Sequence, residues 1–474
     1  MSRRILIVGA GEAGRMLARE LRVRAAGQYT LLGFVDDDPA MAGSDFDGSP
    51  VLGTGDDLPR VVEELKADEV IISVPSAGRE FVRRVVRLCR DAGVPFRIVP
   101  GLLEIIDGPV RLEQIRDVHP EDLLGRDSVI FDDASITASL EGKTVMVTGA
   151  GGSIGSEICR QLCRLGLERL VLFGRGENQV FEIENELRAE YDTVDIVCVI
   201  GDIRDAVALR RTIERLSPDY VYHAAAHKHV HYMEAFPEEA VKNNIVGTWN
   251  VIEASIAAGV ERVVMLSTDK AVTPTGVMGG TKRIGEYLMK AADRGSGTRF
   301  ISVRFGNVLA SRGSVVPLFL RQIRSGASVT VSDEGATRFF MSIREACMLV
   351  VQASLMGEGG EIYILRMGDP IRIVELARDL IALHGHRPGI DIPIEFTGLR
   401  PGEKLHEDLV NPGEVTEPSA HEFVLTSLAP VPGGFSAPEV VAEFARLAEE
   451  GDGPGIRRYM QQLIPDAALG ASID

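Results

Sequence analysis

The stretch STDKAVTPTGVMGGTKR, residues 267–283, brings together side chains that can move protons. Asp269 and Lys270 are adjacent, Thr268 precedes them, and Lys282 follows in the same stretch. A carboxyl group and an amine placed side by side can supply an acid and a base to neighbouring atoms of one substrate. A protonated Asp269 with a neutral Lys270 has the same proton count as their ion pair, so the two groups titrate as one unit. The stretch therefore predicts an acid–base site.

The surrounding sequence alternates between apolar strand-like runs and helical patterns. The run ERVVMLS ends at Ser267, and two earlier runs, DIVCVIGD and DYVYH, end at Asp202 and His223. Such alternation requires a doubly wound parallel sheet, in which ligands bind at the carboxyl ends of the strands. We therefore expect Asp202, His223 and Asp269 to lie along one edge of a sheet.

Two glycine-rich turns, in RILIVGAGEAG and KTVMVTGAGGSIG, each follow an apolar run and open a helical pattern. Their glycines are Gly9, Gly11 and Gly14 in the first turn and Gly149, Gly152 and Gly155 in the second. Glycines in this context let the backbone approach a pyrophosphate at a helix N-terminus. The predicted fold class is α/β, with two Rossmann-like doubly wound parallel-sheet domains. Asp36 matches a ribose-binding acid in the first domain, where a second nucleotide site and a retained fold without a ligand are equally supported.

Length, charge and cysteine content limit the class of protein. The chain of 474 residues is too long for one ordinary core. Its net charge of −18 does not favour binding to nucleic acid or to an anionic membrane surface. The five cysteines are scattered and odd in number, which argues against a disulfide framework. No apolar run reaches the ~18–20 residues of a membrane span. We expect a cytoplasmic protein of two or three domains, with no metal at the histidines of HKHVH (227–231).

The residue that reads the 2′-position of a dinucleotide is expected about 20 residues after the last glycine. Gly174 and Arg175 lie there without an acid, and Glu177 follows. If Arg175 faces a 2′-phosphate, the cofactor is NADP, and this interpretation is favoured. If Arg175 instead stacks on the adenine or lies in solvent, NAD stays open, because Glu177 is nearby. Asp202 and Ile203 are expected to flank the adenine.

Six motifs occur in order over residues 120–430. They are TGAGGSIGSE (148–157), HAAAHKHV (223–230), STDKAVTPTGVMGGTKR (267–283), VRFGNVLASRGSVVPLF (303–319), TRFFM (337–341) and TGLRPGEKLHEDL (397–409). Together they resemble the nucleotide-sugar branch of the short-chain dehydrogenase/reductase superfamily, and most closely the polysaccharide-biosynthesis 4,6-dehydratases that act on UDP-N-acetylglucosamine. Longer members of that family carry an amino-terminal domain like residues 1–100, usually after membrane helices that this chain lacks. The resemblance implies a natural soluble form or an excised portion.

The resemblance implies conversion of a UDP-N-acetylglucosamine-type substrate to a UDP-4-keto-6-deoxy sugar, by internal hydride transfer through bound NAD(P). Most members use a tyrosine where this chain has Met278, but long members often have methionine there, so Met278 does not imply inactivity. Asp269 is expected to act as the base at O4 and the acid at O6, with Thr268 orienting the hydroxyl. Lys270 is expected to act as the base at C5, neutral beside the nicotinamide and Lys282, and Lys282 to bind the nicotinamide ribose.

The family motifs also imply binding residues. Those expected at the cofactor are Gly149, Gly152, Ser153, Ile154, Gly155, Arg175, Asp202, Ile203, Ala224 and Lys282. Those expected at the sugar nucleotide are Lys228, Asn307, Arg338, Arg400 and Glu403, with Lys404 beside them. Residues of this second set can instead stabilise the fold by local salt bridges. Asn244 is expected to support the active-site helix.

We predict an N-terminal Rossmann-like nucleotide-binding-type domain over 1–118, a linker over 119–140 and an NAD(P)-binding domain over 141–430. A smaller C-terminal substrate-binding lobe lies mainly in 303–430, and a helical tail spans 431–474. The expected partners are a UDP-sugar and further copies of the chain, in a homo-oligomer. Two alternatives stay open: a UDP-sugar 4-epimerase, which normally relies on the missing tyrosine, and a non-catalytic nucleotide-sugar sensor.

Overall fold

The computed structural model describes residues 2–24, 27–74, 79–99, 115–123, 133–427 and 429–470. The chain forms two compact units. The first comprises Met1–Ile130, Leu318–Val331 and Val374–Glu395, and the second comprises Phe131–Pro317, Ser332–Ile373 and Phe396–Asp474. Of the predicted linker, residues 124–132 lie outside the described residues, and the predicted domain boundaries stay a prediction.

The sheet of the first unit is parallel throughout. Its strands are β1 (Arg3–Val8), β2 (Tyr29–Val35), β3 (Glu69–Ile72) and β4 (Phe96–Ile98), in the order β2-β1-β3-β4. Its helices include α1 (Glu12–Arg24), α2 (Leu58–Leu65) and α3 (Arg79–Asp91). Ile5 and Ile7 pack into one apolar core, whereas Leu6 and Val8 pack into another. Burial on both faces explains why β1 is a continuous apolar run rather than an alternating one.

The remaining strands form one large sheet and three short pairs. They are β5 (Thr144–Thr148), β6 (Arg169–Gly174), β7 (Asp195–Ile200), β8 (Tyr220–His223), β9 (Arg262–Leu266), β10 (Arg299–Arg304), β11 (Asn307–Val308), β12 (Val329–Val331), β13 (Thr337–Arg338), β14 (Phe340–Met341), β15 (Ile362–Leu365), β16 (Ile371–Arg372), β17 (Ile394–Phe396), β18 (Thr416–Pro418) and β19 (Val424–Ser427). Within the described residues the large sheet has the order β18-β19-β15-β10-β9-β8-β5-β6-β7, and the pairs are β11-β14, β12-β17 and β13-β16. From β15 to β7 every pairing is parallel, which confirms the predicted α/β class.

The remaining helices separate these strands along the chain. They are α4 (Asp133–Leu140), α5 (Ser153–Cys163), α6 (Glu177–Glu190), α7 (Ala206–Leu216), α8 (Val230–Ala235), α9 (Pro237–Val241), α10 (Gly247–Ala258), α11 (Val277–Asp293), α12 (Val315–Arg324), α13 (Ile343–Met356), α14 (Ile373–Leu383), α15 (Ala437–Glu449) and α16 (Gly453–Leu463). The sequence predicts one long helix through NNIVGTWNVIEASIAAG, but a π-helical turn, Lys242–Val246, precedes α10. In the parts of the chain that the structure describes, none of the helices has the length and apolar character needed to cross a bilayer.

The strand order reverses between β5 and β8, where Thr148 and His223 are register partners. The buried His223 accepts a hydrogen bond at Nδ1 from the Thr148 hydroxyl (2.8 Å), and its Nε2 lies 3.0 Å from the Thr248 hydroxyl. Because the Thr248 hydroxyl donates its proton to the Asn244 carbonyl (2.8 Å), His223 must donate through Nε2–H. Burial, and secondarily the charge of Lys282, lower the pKa of His223 to about 3. His223 therefore joins two strands as a neutral imidazole.

We expect His223 to remain neutral from pH 8 down to about pH 5 in ¹⁵N NMR spectra of histidine-labelled protein. Its signal is assigned by its loss in His223→Gln. Since the folded pKa lies below the ordinary 6.5, the unfolded chain takes up this proton first, so the stability that His223 contributes is present above pH 6.5 and declines as the pH falls. A titration midpoint near 6.5 would contradict the buried tautomer.

The C-terminal helices pack against the rest of the second unit. Phe444 of α15 and Met460 of α16 belong to its apolar core. A β-carbon on Gly280 of α11 would lie 1.9 Å from the Met460 sulfur, so a larger residue there would force the Met460 side chain to move. Arg457 donates to the Glu234 carboxylate (2.5 Å), whose other oxygen accepts from the Val277 amide (2.5 Å) at the start of α11. The tail therefore fixes the helix that carries Lys282.

Replacing Arg457 with methionine should lower the free energy of unfolding by about 3 kcal/mol, because it leaves the Glu234 carboxylate buried without its cation. The matched control is Arg458→Met, since Arg458 is 70% exposed and lies 3.8 Å from Asp452. That control should change stability by less than about 1 kcal/mol. Urea denaturation measures both, and equal effects of the two variants would refute this role of Arg457.

Candidate functional site

A cavity of about 310 Å³ lies at the carboxyl ends of β5, β6, β7 and β8 in the second unit. Among the residues predicted at the cofactor, Gly149, Gly152, Arg175, Asp202, Ile203 and Ala224 line it. Ser153, Ile154 and Gly155 form the first turn of α5, directly after these glycines. The cavity therefore lies at the switch point of the sheet, where doubly wound folds bind ligands.

The glycines of this turn are required by close backbone contacts. Gly149 has a φ of +70°, and a β-carbon on it would lie 2.8 Å from the Ala225 backbone. A β-carbon on Gly155 would lie 2.2 Å from the Gly149 carbonyl oxygen. Gly152 is the N-cap of α5 and offers no side chain, so free N–H groups of the first helical turn are left for an anion. This cradle fits the pyrophosphate of a dinucleotide.

A cluster of charged side chains lies just past the carboxyl ends of β6 and β7. Arg175 is 53% exposed and lies 3.9 Å from the Asp202 carboxylate. Arg204 donates to both Asp202 oxygens, at 2.7–3.1 Å. Burial raises the pKa of Asp202, but the hydrogen bonds from Arg204 outweigh this, so the pKa lies below its ordinary value. Asp202 is thus already paired, and Arg175 is left as an exposed cation at the cavity.

The predicted acid–base residues lie together just past the end of β9. Thr268 is the N-cap of a short 3-10 turn, Asp269–Ala271, and its hydroxyl donates to the Asp269 carboxylate (2.8 Å). The Lys270 ammonium donates to the same oxygen (2.9 Å) and to the Asn307 side-chain carbonyl (3.0 Å). Asp269 is fully buried, and among the described residues its second oxygen has no hydrogen-bond partner. Thr268 therefore orients Asp269, whose second oxygen is buried and accepts no hydrogen bond in this part of the structure.

Glu407, which the sequence analysis missed, is a second carboxylate at this cluster. Its side chain is 3% exposed, and one oxygen lies 3.5 Å from the Lys270 ammonium. Burial lowers the pKa of Lys270, but the charges of Asp269 and Glu407 outweigh it, so the pKa lies above its ordinary value. The charges of Asp269 and Glu407 therefore favour the ammonium form of Lys270, and a neutral Lys270 beside the nicotinamide stays a prediction. Glu407 lies in the motif TGLRPGEKLHEDL. The sequence does not distinguish it from the other acidic residues of that motif, whereas its contact with Lys270 does.

Helix α11 places Lys282 inside the unit. Burial lowers the pKa of Lys282 to about 8, and the charge of Glu286 opposes this only in part. In the described part of the chain its ammonium forms no hydrogen bond or ion pair. Met278, one turn earlier, is 3% exposed. Asn244 donates to Thr281 (3.0 Å) and to the His227 carbonyl (2.9 Å), so the π-helical turn supports α11.

The residues predicted at the sugar nucleotide divide into two groups. Asn307 accepts a hydrogen bond from Lys270. Burial lowers the pKa of Lys228, and the positive charge of Lys270 lowers it further. Asn307 and Lys228 therefore lie near the acid–base cluster. Arg338 instead donates to the backbone carbonyls of Thr337, Lys404 and Leu405, at 2.7–3.1 Å. This guanidinium holds the loop that carries Glu407.

The other two predicted residues lie in a turn of that loop. The Glu403 carboxylate accepts from the Arg400 amide (3.2 Å), and Arg400 is exposed. Lys404 donates to the Val272 carbonyl (2.6 Å), which ties the loop to the segment after Lys270. Arg312, also missed from the sequence, donates to the Gly151 carbonyl (3.2 Å) and lines the cavity.

Comparison with known proteins yields two family matches. Residues 145–428 match the family described as polysaccharide biosynthesis protein, and residues 1–100 match a CoA-binding domain. A curated relative, the probable polysaccharide biosynthesis protein EpsC of Bacillus subtilis, is 44% identical over 415 residues, which are 87% of this chain and 69% of the relative.

Two solved structures share the fold. The X-ray structure of Pen from Bacillus thuringiensis has a TM-score of 0.57 and 34% identity, covering 64% of this chain and 97% of Pen. DesIV from Streptomyces venezuelae, a dTDP-glucose 4,6-dehydratase with NAD and TYD bound, has a TM-score of 0.50 and 21% identity, covering 65% and 98% of the two chains. The family match spans more than half of the chain. The chain therefore belongs to the polysaccharide biosynthesis protein family, in the nucleotide-sugar branch of the extended short-chain dehydrogenase/reductases.

Proposed function

We propose that this protein is a nucleotide-sugar 4,6-dehydratase, which converts a UDP-N-acetylglucosamine-type substrate to a UDP-4-keto-6-deoxy sugar for polysaccharide biosynthesis. The observation that carries the proposal is the pair of the buried Asp269 and the partly buried Lys270, with one carboxylate oxygen that has no hydrogen-bond partner among the described residues. Epimerisation at C4 needs proton transfer at O4 alone. Loss of water also needs a base at C5 and an acid at O6, and a paired carboxyl and amine can supply both.

The glycine turn at the cavity and the buried Lys282 of α11 fit a nicotinamide dinucleotide. Gly149 and Gly155 form a cradle that a β-carbon would fill, and Lys282 has a buried ammonium for ribose hydroxyls. Gly149, Gly155 and Lys282 would hold an oxidised nicotinamide dinucleotide, which would supply a reversible acceptor for the hydride of the sugar and would not be consumed. Every other step is a proton transfer, which the side chains must perform.

Asp269 takes the O4 proton on its unpartnered oxygen as the hydride leaves C4. The resulting ketone acidifies the C5 proton, which Lys270 removes, while Asp269 gives its proton to O6 and water leaves. Lys270 then returns a proton to C5 as the hydride arrives at C6. Thr268 and Asn307 hold the Asp269 carboxylate and the Lys270 amine, respectively, in position for these transfers.

Purified protein incubated with NAD(P) and UDP-N-acetylglucosamine should form the 4-keto-6-deoxy product, identified by NMR. Lys270→Met should lower its formation by at least about 100-fold, because the base at C5 is lost. Met278→Leu should leave the rate within a few-fold of wild type, since a buried thioether carries no proton and the swap nearly conserves volume. A C4 epimer as the product, or full activity in Lys270→Met, would refute the proposed function.

We further propose that the cofactor is NADP, because the exposed Arg175 lies at the cavity and the neighbouring Asp202, 3.9 Å away, is already bonded to Arg204. Arg175→Ala should weaken binding of NADP by about tenfold, which is the scale of one charge-assisted hydrogen bond, and change NAD binding much less. Arg169→Ala is the matched control, since Arg169 lies at the other end of β6 and pairs with Asp195 (2.7 Å). Titration calorimetry with both dinucleotides makes the comparison, and equal losses for NAD and NADP in Arg175→Ala would exclude a 2′-phosphate contact.

A further inference from the structure

Lys270 is surrounded by acceptors that suit its charged form. Its ammonium lies 2.9 Å from Asp269, 3.0 Å from Asn307 and 3.5 Å from Glu407. An ammonium group has three protons to donate and no acceptor capacity, so this environment is complete only when Lys270 is charged. A base must be neutral, and a proton therefore has to leave Lys270 before the C5 step.

Asp269 is poorly placed to keep that proton. One of its oxygens already accepts from both Thr268 and Lys270, and the other is the group that takes the O4 proton in the proposed function. A carboxyl that stored the lysine proton would be unable to accept the proton of the sugar hydroxyl. A second acceptor is needed.

Glu407 has the required position and environment. Its carboxylate is buried, and its Oε2 atom has no hydrogen-bond partner among the described residues. The nearest other cation, Lys404, lies 3.9 Å away and donates instead to the Val272 carbonyl and the Thr273 hydroxyl, at 2.6 and 3.2 Å. A proton on this second oxygen would displace no existing hydrogen bond within the described part of the chain.

We propose that Glu407 takes the proton of Lys270 when the sugar binds, and keeps it until the product leaves. The inference rests on the proposed function. One N–H bond of Lys270 breaks, one O–H bond of Glu407 forms, and no electrons are gained or lost. Lys270 then takes the C5 proton and later returns a proton to C5, while Asp269 carries the O4 proton to O6. Glu407 acts through Lys270 and is a positioning residue.

Desolvation supplies the driving force for this transfer. The Lys270 side chain is 22% exposed, and a bound sugar removes this remaining contact with water. Removing water disfavours an ion pair relative to a neutral acid and amine. The other charges that face the pair are Asp269, Lys404, Arg338 and Lys228. The transfer leaves the total charge of this cluster unchanged.

Glu407→Gln tests the proposal, because glutamine keeps the shape of the side chain and cannot take the proton. In D₂O, incorporation of deuterium at C5, followed by ¹H NMR, should fall by about 100-fold near neutral pH. The hydride step should survive, so reduced nicotinamide should accumulate at 340 nm. Activity of the variant should rise about tenfold per pH unit, since Lys270 must then lose its proton to solvent, whereas wild type stays nearly flat. Asp408→Asn, at the neighbouring exposed acid, should behave as wild type.

Wild-type exchange and a flat pH profile in Glu407→Gln would overturn the inference. Equal loss of the hydride step and of C5 exchange in a folded variant would also overturn it. Should the glutamine variant fail to fold, Glu407→Asp is the second test, because it keeps a carboxyl but places it further from Lys270. Deuterium exchange at C5 should still fall in this variant while the hydride step persists. An unchanged rate of C5 exchange would refute the role of Glu407. A wild-type protein that forms no 4-keto product overturns the proposed function together with this inference, whereas an active wild type with an unaffected glutamine variant overturns the inference alone.

Discussion

Burial of unlike charges at the end of β9 is the constraint on which the site depends. Taking Asp269 and Lys270 out of water costs several kcal/mol per ion unless hydrogen bonds and opposite charges compensate. Thr268, Asn307 and Glu407 provide that compensation. The backbone closes tightly around the pair, since a β-carbon on Gly306 would lie 3.3 Å from Asp269 and 2.8 Å from the Phe339 β-carbon. The same groups leave one buried oxygen of Asp269 without a hydrogen-bond partner among the described residues.

A second network of buried charges connects the elements that surround this pair. Arg304, at the end of β10, is fully buried and pairs with Glu286 (2.8 Å) on α11 and with Glu414 (3.0 Å). It also donates to the Leu409 carbonyl (2.9 Å), two residues after Glu407. One guanidinium thus joins the helix that bears Lys282 to the loop that bears Glu407. The position of Glu407 is therefore set by the sheet, although the residue itself lies in a loop.

The sequence predicts those parts of the site that local patterns determine. The glycine turn, the strand end at Ser267 and the Asp269–Lys270 pair are recognisable because each is specified by neighbours within a few residues. Glu407 is not recognisable in this way, because its role depends on contact with a residue far away in the chain. The π-helical turn at 242–246 escapes prediction for the same reason. It depends on Asn244 bonding to His227 and Thr281, whereas local propensity favours a continuous helix.

Under the proposed function, the two carboxylates would let the site work with Met278 in place of a tyrosine. A phenol on α11 is needed when no other group can accept the O4 proton. Here Asp269 has an oxygen without a hydrogen-bond partner among the described residues, and the proposed function assigns it the O4 proton while the other oxygen stays bonded to Lys270. Transfer of one proton to Glu407 would then free Lys270 as the base at C5. Asp269 therefore serves O4 and O6, Lys270 serves C5, and Glu407 holds the proton that Lys270 must lose.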